Sequence, residues 1–224
     1  MQKVSCPNCG AEVTFRSPAL PSRICDYCHT ILVRSGGGIE QVGKAAVLPF
    51  DVSPIQIGTA GTFDGRDFTV VGRVRWGWTD GSWNEWLVLF GDGSDGWLGE
   101  AMGQFMLTKE RPLGDVQSDP TIRAIILGER VPIGTEAQVD GETFIVSDAR
   151  EATCLAAEGE LPFTAITGTT IYSIDFRSTT GALASLQREK TLSSFYQGRY
   201  VTLAELRPRH LRAIDGWPMP AYGT

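Results

Sequence analysis

The sequence predicts an all-β, mainly antiparallel chain: an N-terminal zinc ribbon followed by two similar small β-barrel or β-sheet units related by internal duplication. Three observations predict it. Two Cys-x-x-Cys knuckles open the chain. Short runs of alternating polarity, separated by glycine turns, fill most of the rest. Residues 57–72, IGTAGTFDGRDFTVVG, align without a gap to residues 133–148, IGTEAQVDGETFIVSD, with seven of sixteen positions identical. Similarity at a fixed offset is the mark of a repeated structural unit.

The knuckles are Cys6-Pro7-Asn8-Cys9 and Cys25-Asp26-Tyr27-Cys28, with fifteen residues between them. Two turns that aim sulfurs inward across a short loop complete a tetrahedron, so Cys6, Cys9, Cys25 and Cys28 are the expected ligands of a structural Zn²⁺ ion. Disulfides and a rubredoxin-like iron are the competing readings. Four thiolates close the coordination sphere and leave no open position for catalysis. A segment this short buries too little surface to fold alone, so the metal supplies its folding energy. His29 follows Cys28 directly and is expected outside the ligand set, although it is able to replace a thiolate.

Zinc ribbon residues 1–34 give way to a linker and lead-in at 35–50. Ser35-Gly36-Gly37-Gly38 reads as a flexible joint, and Ala45 to Phe50 is apolar. The first β-repeat is placed at 51–130. Within it Val70, Gly72, Val74, Trp76 and Trp78 share one parity, and Val71, Arg73 and Arg75 share the other, which predicts an apolar face and a wetter basic one. Asp80-Gly81 supplies a hairpin turn. The return strand sets Trp83, Leu87 and Leu89 on one face and Trp86, Val88 and Phe90 on the other, so it is expected to be a central strand or one covered on both sides. Asp92-Gly93 turns the chain again before Gly96-Trp97-Leu98. The connector contains Pro120 to Leu127, which fits a short helix or a strand. The second repeat is placed at 131–207, and residues 208–224 form a tail. Each repeat alone is marginal in size, so an apolar interface between two side-by-side units is expected.

Five of the six tryptophans lie between Asp67 and Leu98. The pattern FTVVGRVRWGW, then DGSWNEWLVLFGDGSDGWL, resembles the bacterial domain-of-unknown-function family 4178 over roughly residues 50–206. Trp83, Glu85 and Trp86, followed by Gly96-Trp97-Leu98, carry the resemblance. It implies no activity. It implies a neighbourhood of small membrane proteins and aminopropyltransferase-like enzymes, and hence a role in an envelope- or stress-associated complex.

The chain has 224 residues and a formal charge of −6, which disfavours broad contact with nucleic acid or an anionic membrane. Residues 1–50 carry five basic against three acidic side chains, too weak a balance for phosphate tracking. No apolar run is long enough for a membrane-spanning helix, and the N-terminus lacks a signal core. The expected location is therefore cytoplasmic, with any membrane association made through a partner. The sequence carries no P-loop, dinucleotide fingerprint, G-x-S-x-G or H-E-x-x-H. Cys154 lies far in sequence from both histidines and reads as an inert buried thiol. Asp80 and Asp92 precede glycines in turns, where aspartate belongs for backbone reasons. Glu85 is different, since it lies inside a strand among apolar residues; Glu160 holds the nearest corresponding place in the second repeat.

The resulting expectation is a non-enzymatic adaptor that binds a protein partner. Its contact candidates are Trp76, Trp78, Trp83, Glu85, Trp86 and Trp97. The indoles also fit plain core packing, which the alternation favours. A module for a small cationic metabolite or polyamine, using indole faces and carboxylates, is the second expectation. Nucleic-acid binding through the ribbon is the third.

Overall fold

The computed structural model describes residues 1–36, 38–48 and 52–218. The metal-knuckle region folds as β1 (Gln2–Ser5) and β2 (Glu12–Phe15), then β3 (Ser22–Ile24), β4 (Thr30–Ser35) and β5 (Gly38–Lys44). The first meander region follows as β6 (Ala60–Phe63), β7 (Arg66–Trp78), β8 (Gly81–Phe90), β9 (Asp95–Ala101) and β10 (Gln104–Arg111). Two short helices, α1 (Leu113–Val116) and α2 (Pro120–Ile126), lead to the second region. That region comprises β11 (Glu136–Val139), β12 (Glu142–Leu161), β13 (Thr170–Ser178), β14 (Ala182–Glu189), β15 (Leu192–Val201) and α3 (Leu203–Leu206).

The aligned stretches take the same shape. Ala60 pairs with Thr69, and Glu136 pairs with Ile145, the same register 76 residues on. Asp64-Gly65 and Asp140-Gly141 both adopt left-handed backbone, which is why each hairpin carries Asp-Gly at that point. A bulge falls between Val70 and Gly72 in β7 and between Val146 and Asp148 in β12. Each half then continues as a meander of four long strands and ends in a one-turn helix.

Neither meander closes by itself. The strand order β12-β13-β14-β15-β10-β9-β8-β7 is completed by a pairing of β7 with β12, so the two halves form one eight-stranded antiparallel ring. One seam joins β10 to β15 antiparallel, Phe105 opposite Val201 through Arg111 opposite Phe195. The other joins Gly77 to Thr153 through Gly72 to Gly159. The chains touch closely there: a Cβ on Gly72 would lie 1.8 Å from the Glu160 carbonyl oxygen, and one on Gly159 would lie 2.2 Å from that of Val71. The two units expected side by side are thus the two arcs of one closed sheet.

Each strand of the ring buries both faces. Outside the first arc, Phe68, Val70, Trp86, Val88, Phe90 and Leu98 pack under Leu206 of α3. Outside the second, Phe144, Val146, Ile174, Phe176 and Leu186 pack under Val116, Ile122 and Ile125 of α1 and α2. The undecided Pro120–Leu127 stretch is helical because Asp119 accepts a hydrogen bond from the Ile122 N–H at 2.9 Å and Pro120 sits at the first turn. Arg73 is a correction. The bulge turns it onto the outer face of β7, yet it is only 2% exposed, its guanidinium 4.4 Å over Trp86 and hydrogen-bonded to Asn84. The basic face is therefore covered rather than wet.

The ribbon is built into the ring. β3 pairs with the end of β12, Arg23 opposite Glu160. Leu20, Ile24, Ile31 and Ala45 share a core with Val74, Trp76, Leu87, Trp97, Ile171 and Tyr196. One end of the ring is therefore stoppered by the ribbon. Ser35 and Gly36 lie at the tip of the β4–β5 hairpin, and Gly38–Lys44, expected as linker, is a paired strand. Gly37 and the lead-in residues 49–51 lie outside the described residues. Of the expected tail, Arg209 pairs with Ala60 and Arg212 donates to the Ser53 carbonyl; residues 219–224 lie outside the described residues.

Candidate functional site

The four cysteine sulfurs lie within 4.8 Å of one another, and none forms a disulfide. Cys6 Sγ lies 3.7 Å from Cys28 Sγ, and Cys9 Sγ 3.8 Å from Cys25 Sγ. A tetrahedron with metal–sulfur bonds of about 2.3 Å has edges of about 3.8 Å, so the donor set fits a four-coordinate metal ion. His29 does not join the cluster; it takes a left-handed turn conformation, φ 57°. Glu160 is not the counterpart of Glu85. It sits at the ribbon junction, fully buried, where its carboxylate accepts from the backbone N–H groups of Arg16 and Ser17 at 2.7 and 3.0 Å, with Arg23 3.5 Å away. Arg23 also reaches Asp26, inside the second knuckle, at 2.7 Å.

The second site is the interior of the ring. Period-2 alternation sends Trp76, Trp83, Glu85 and Trp97 inward and Trp86 outward. Trp76, Trp86 and Trp97 are buried, and Trp78 and Trp83 are half-buried. Trp78 and Trp83 lie 5.6 Å apart between ring centres, tilted by 45°. Glu85 is 8% exposed. Its Oε2 accepts from Trp76 Nε1 at 2.9 Å, and its Oε1 accepts from Trp83 Nε1 at 3.0 Å. Gln187 Nε2 reaches the same Oε1 from β14, across the ring, at 2.6 Å. Burial pushes the Glu85 carboxyl up, the three donors pull it down, and the charge of Asp175 pushes it up again.

Toward the end away from the ribbon the interior opens as a cavity of about 340 Å³, lined among others by Trp78, Trp83, Glu85, Arg150, Asp175 and Arg177. A hole of about 20 Å³ continues beside Glu85 between Gln187 and Tyr196. Burial raises Asp175 to about 6, opposed by a hydrogen bond with Ser185, raised further by Asp148, and lowered by Arg150 and Arg177. Arg150 pairs with Asp148, and its guanidinium lies 4.4 Å over Trp78.

Sequence reasoning selected Trp78, Trp83 and Glu85 of this lining and missed Arg150, Asp175, Arg177 and Gln187. Ser173, Asp175 and Arg177 alternate with Tyr172, Ile174 and Phe176, which reads as an ordinary half-exposed strand. Only ring closure turns that polar face inward. Glu100 belongs to the outer face of β9, where its Oε2 accepts from Ser53, Asn84 and Trp86 at 2.6, 3.0 and 2.9 Å.

The fold and sites define a metal-knuckle protein with an eight-stranded β-ring around a polar lumen. Residues 56–203 match the family described as Domain of unknown function (DUF4178), and the chain belongs to that family. No curated protein and no solved structure matches it. Among the described residues no helix is long and apolar enough to cross a membrane.

Proposed function

We propose that the ring holds a small organic cation in its lumen, with Glu85 as counter-ion and the faces of Trp78 and Trp83 as walls. The four cysteines, in this reading, hold a structural zinc ion. One observation carries the proposal. Glu85 is a buried carboxylate that accepts three N–H donors, and among the described residues it has no cationic partner. All its partners are donors, so the ionised form is the one the site is built for. A buried charge without a counter-charge is costly, and a bound ammonium group removes that cost. Indole faces attract the same cation. The cavity volume suits a single small molecule.

The adaptor reading drew on indoles at the surface, and three of the five are buried. Their placement supports a lumen ligand better than a docking face. The matching registers support reading the two arcs as copies of one unit.

Titration of the metal-replete protein with spermidine and simple alkylamines, followed by tryptophan fluorescence and calorimetry, tests the proposal. Micromolar binding is expected, weakened at least tenfold by Glu85→Gln. Affinity is expected to rise with pH as the elevated Glu85 carboxyl loses its proton. No heat and no fluorescence change with any amine would remove the reading.

A further inference from the structure

We infer that the lumen's ligand is amphoteric: a small amino acid-type molecule whose ammonium group meets Glu85 and whose carboxylate meets the guanidinium groups of Arg150 and Arg177. The inference rests on the lumen-binding reading above and specifies the other end of the ligand.

The argument starts from unused donors. A guanidinium carries five N–H groups in a rigid plane. Arg150 makes one hydrogen bond, from Nε to Asp148, and its Nη groups meet no protein acceptor among the described residues. The plane is nevertheless held, stacked on Trp78 from one side and tied to Asp148 at one edge. That is a held guanidinium on a residue that lines the lumen. Arg177 forms neither a hydrogen bond nor an ion pair among the described residues; its guanidinium lies 5.4 Å over the Tyr200 ring, on the lining of the same cavity. Asp175 lies in the field of both arginines but is hydrogen-bonded to Ser185. The cavity therefore presents a carboxylate without a counter-cation and two guanidinium groups with spare donors. A plain amine answers the first and leaves the second unused. A carboxylate alone does the reverse. A molecule with both charges answers both, and mutual placement of the two ends gives selectivity against either half-ligand, whose unmatched site group stays unpaired.

The test uses probes of matched length on full-length, metal-replete protein: pentylamine, pentanoate, 5-aminopentanoate and the α-amino acid norvaline. One of the two amino acids is expected to bind at least tenfold more tightly than both pentylamine and pentanoate. Arg177→Ala, at an exposed side chain, is expected to weaken that amino acid several-fold, narrowing its advantage over pentylamine, while leaving pentylamine itself unchanged. Arg177→Lys recovers part of the loss. If pentylamine binds as well as the amino acids and Arg177→Ala changes neither, the amphoteric ligand is overturned and the cation reading stands. If no probe binds, the amphoteric ligand is overturned, and the spermidine titration decides the cation reading.

Discussion

Where the first arc of the ring carries Leu87 opposite Trp97, the second carries Asp175 opposite Ser185. The registers are equivalent, since each pair follows the same bulge in the same hairpin. The contrast runs along the interior. Val74 and Trp76 of β7 correspond to Arg150 and Ala152 of β12 at the offset of the aligned stretches. One arc thus fills the ring with indole and leucine, and the other lines a space with charges. The comparison teaches that matching backbone registers do not dictate chemistry here. Both outer faces carry apolar cores, and the side chains that meet in the lumen differ.

Exchanging the two residues breaks that comparison most severely. Leu87→Asp buries a carboxylate in a packed, fully enclosed position, and a loss of about 4 kcal/mol or more is expected in urea unfolding. Asp175→Leu is expected to hold or raise stability, because it removes a desolvated acid from a site with room for the side chain. Equal losses from the two exchanges would show that the second arc is as tightly filled as the first.

Metal removal comes next. The ribbon contributes Leu20, Ile24 and Ile31 to the core that closes the indole-filled end of the ring. Glu160, clamped by Arg16, Ser17 and Arg23, ties the second knuckle to the end of β12. Chelation is therefore expected to lower the barrel's Tm by about 10 °C, read from near-ultraviolet dichroism of the tryptophans. A ring unaffected by chelation would mean that the ribbon is only an appendage.

Asp175 itself gives a smaller effect with a defined pH window. Its folded-state pKa of about 6 lies above the ordinary 3.8. Between those values the folded state binds more protons than the unfolded, so stability falls as pH rises from about 4 to 6 and the deficit persists above 6. Asp175→Asn is expected to recover on the order of 1–3 kcal/mol at pH 7 and little at pH 4. A variant with the same gain at both pH values would assign the effect to packing instead.

The parts legible in the sequence are those fixed by local chemistry. Cysteine spacing located the metal cluster, Asp-Gly pairs located hairpins, and the two apolar faces of Trp83–Phe90 announced a strand covered on both sides. What stayed hidden depends on closure. Nothing local to Ser173–Arg177 says that its polar face looks into a ring, and nothing local to Ser35 and Gly36 separates a joint from a hairpin tip. Arg73 misled because a single bulge between Val70 and Gly72 exchanges the faces of β7. The Pro120–Leu127 helix was legible in retrospect, from the Asp119-Pro120 start and the spacing of Ile122 and Ile125.

The smallest expected effect sharpens the comparison from the side where the arcs agree. Asp64 of the first Asp-Gly turn pairs with Arg199 of the second arc at 3.0 Å, and Asp140 of the second turn pairs with Arg111 of the first at 2.8 Å. Each turn is therefore braced by the opposite arc across the β10–β15 seam. The arginine pKa values are raised first by these hydrogen bonds, and the same contact lowers Asp140. The pairs are exposed, so salt screens them and their net effect is small. Asn tolerates the left-handed conformation that Asp64 and Asp140 adopt, with φ of 49° and 52°. Asp64→Asn and Asp140→Asn thus remove the charge and keep the turn. Each is expected to lower Tm by about 1–2 °C at low salt and by nothing measurable in 1 M salt, and the double variant is expected to be additive because the pairs share no partner. Unequal losses would place the symmetry of the seam in the backbone alone; equal ones extend it to the side chains that hold the two arcs together.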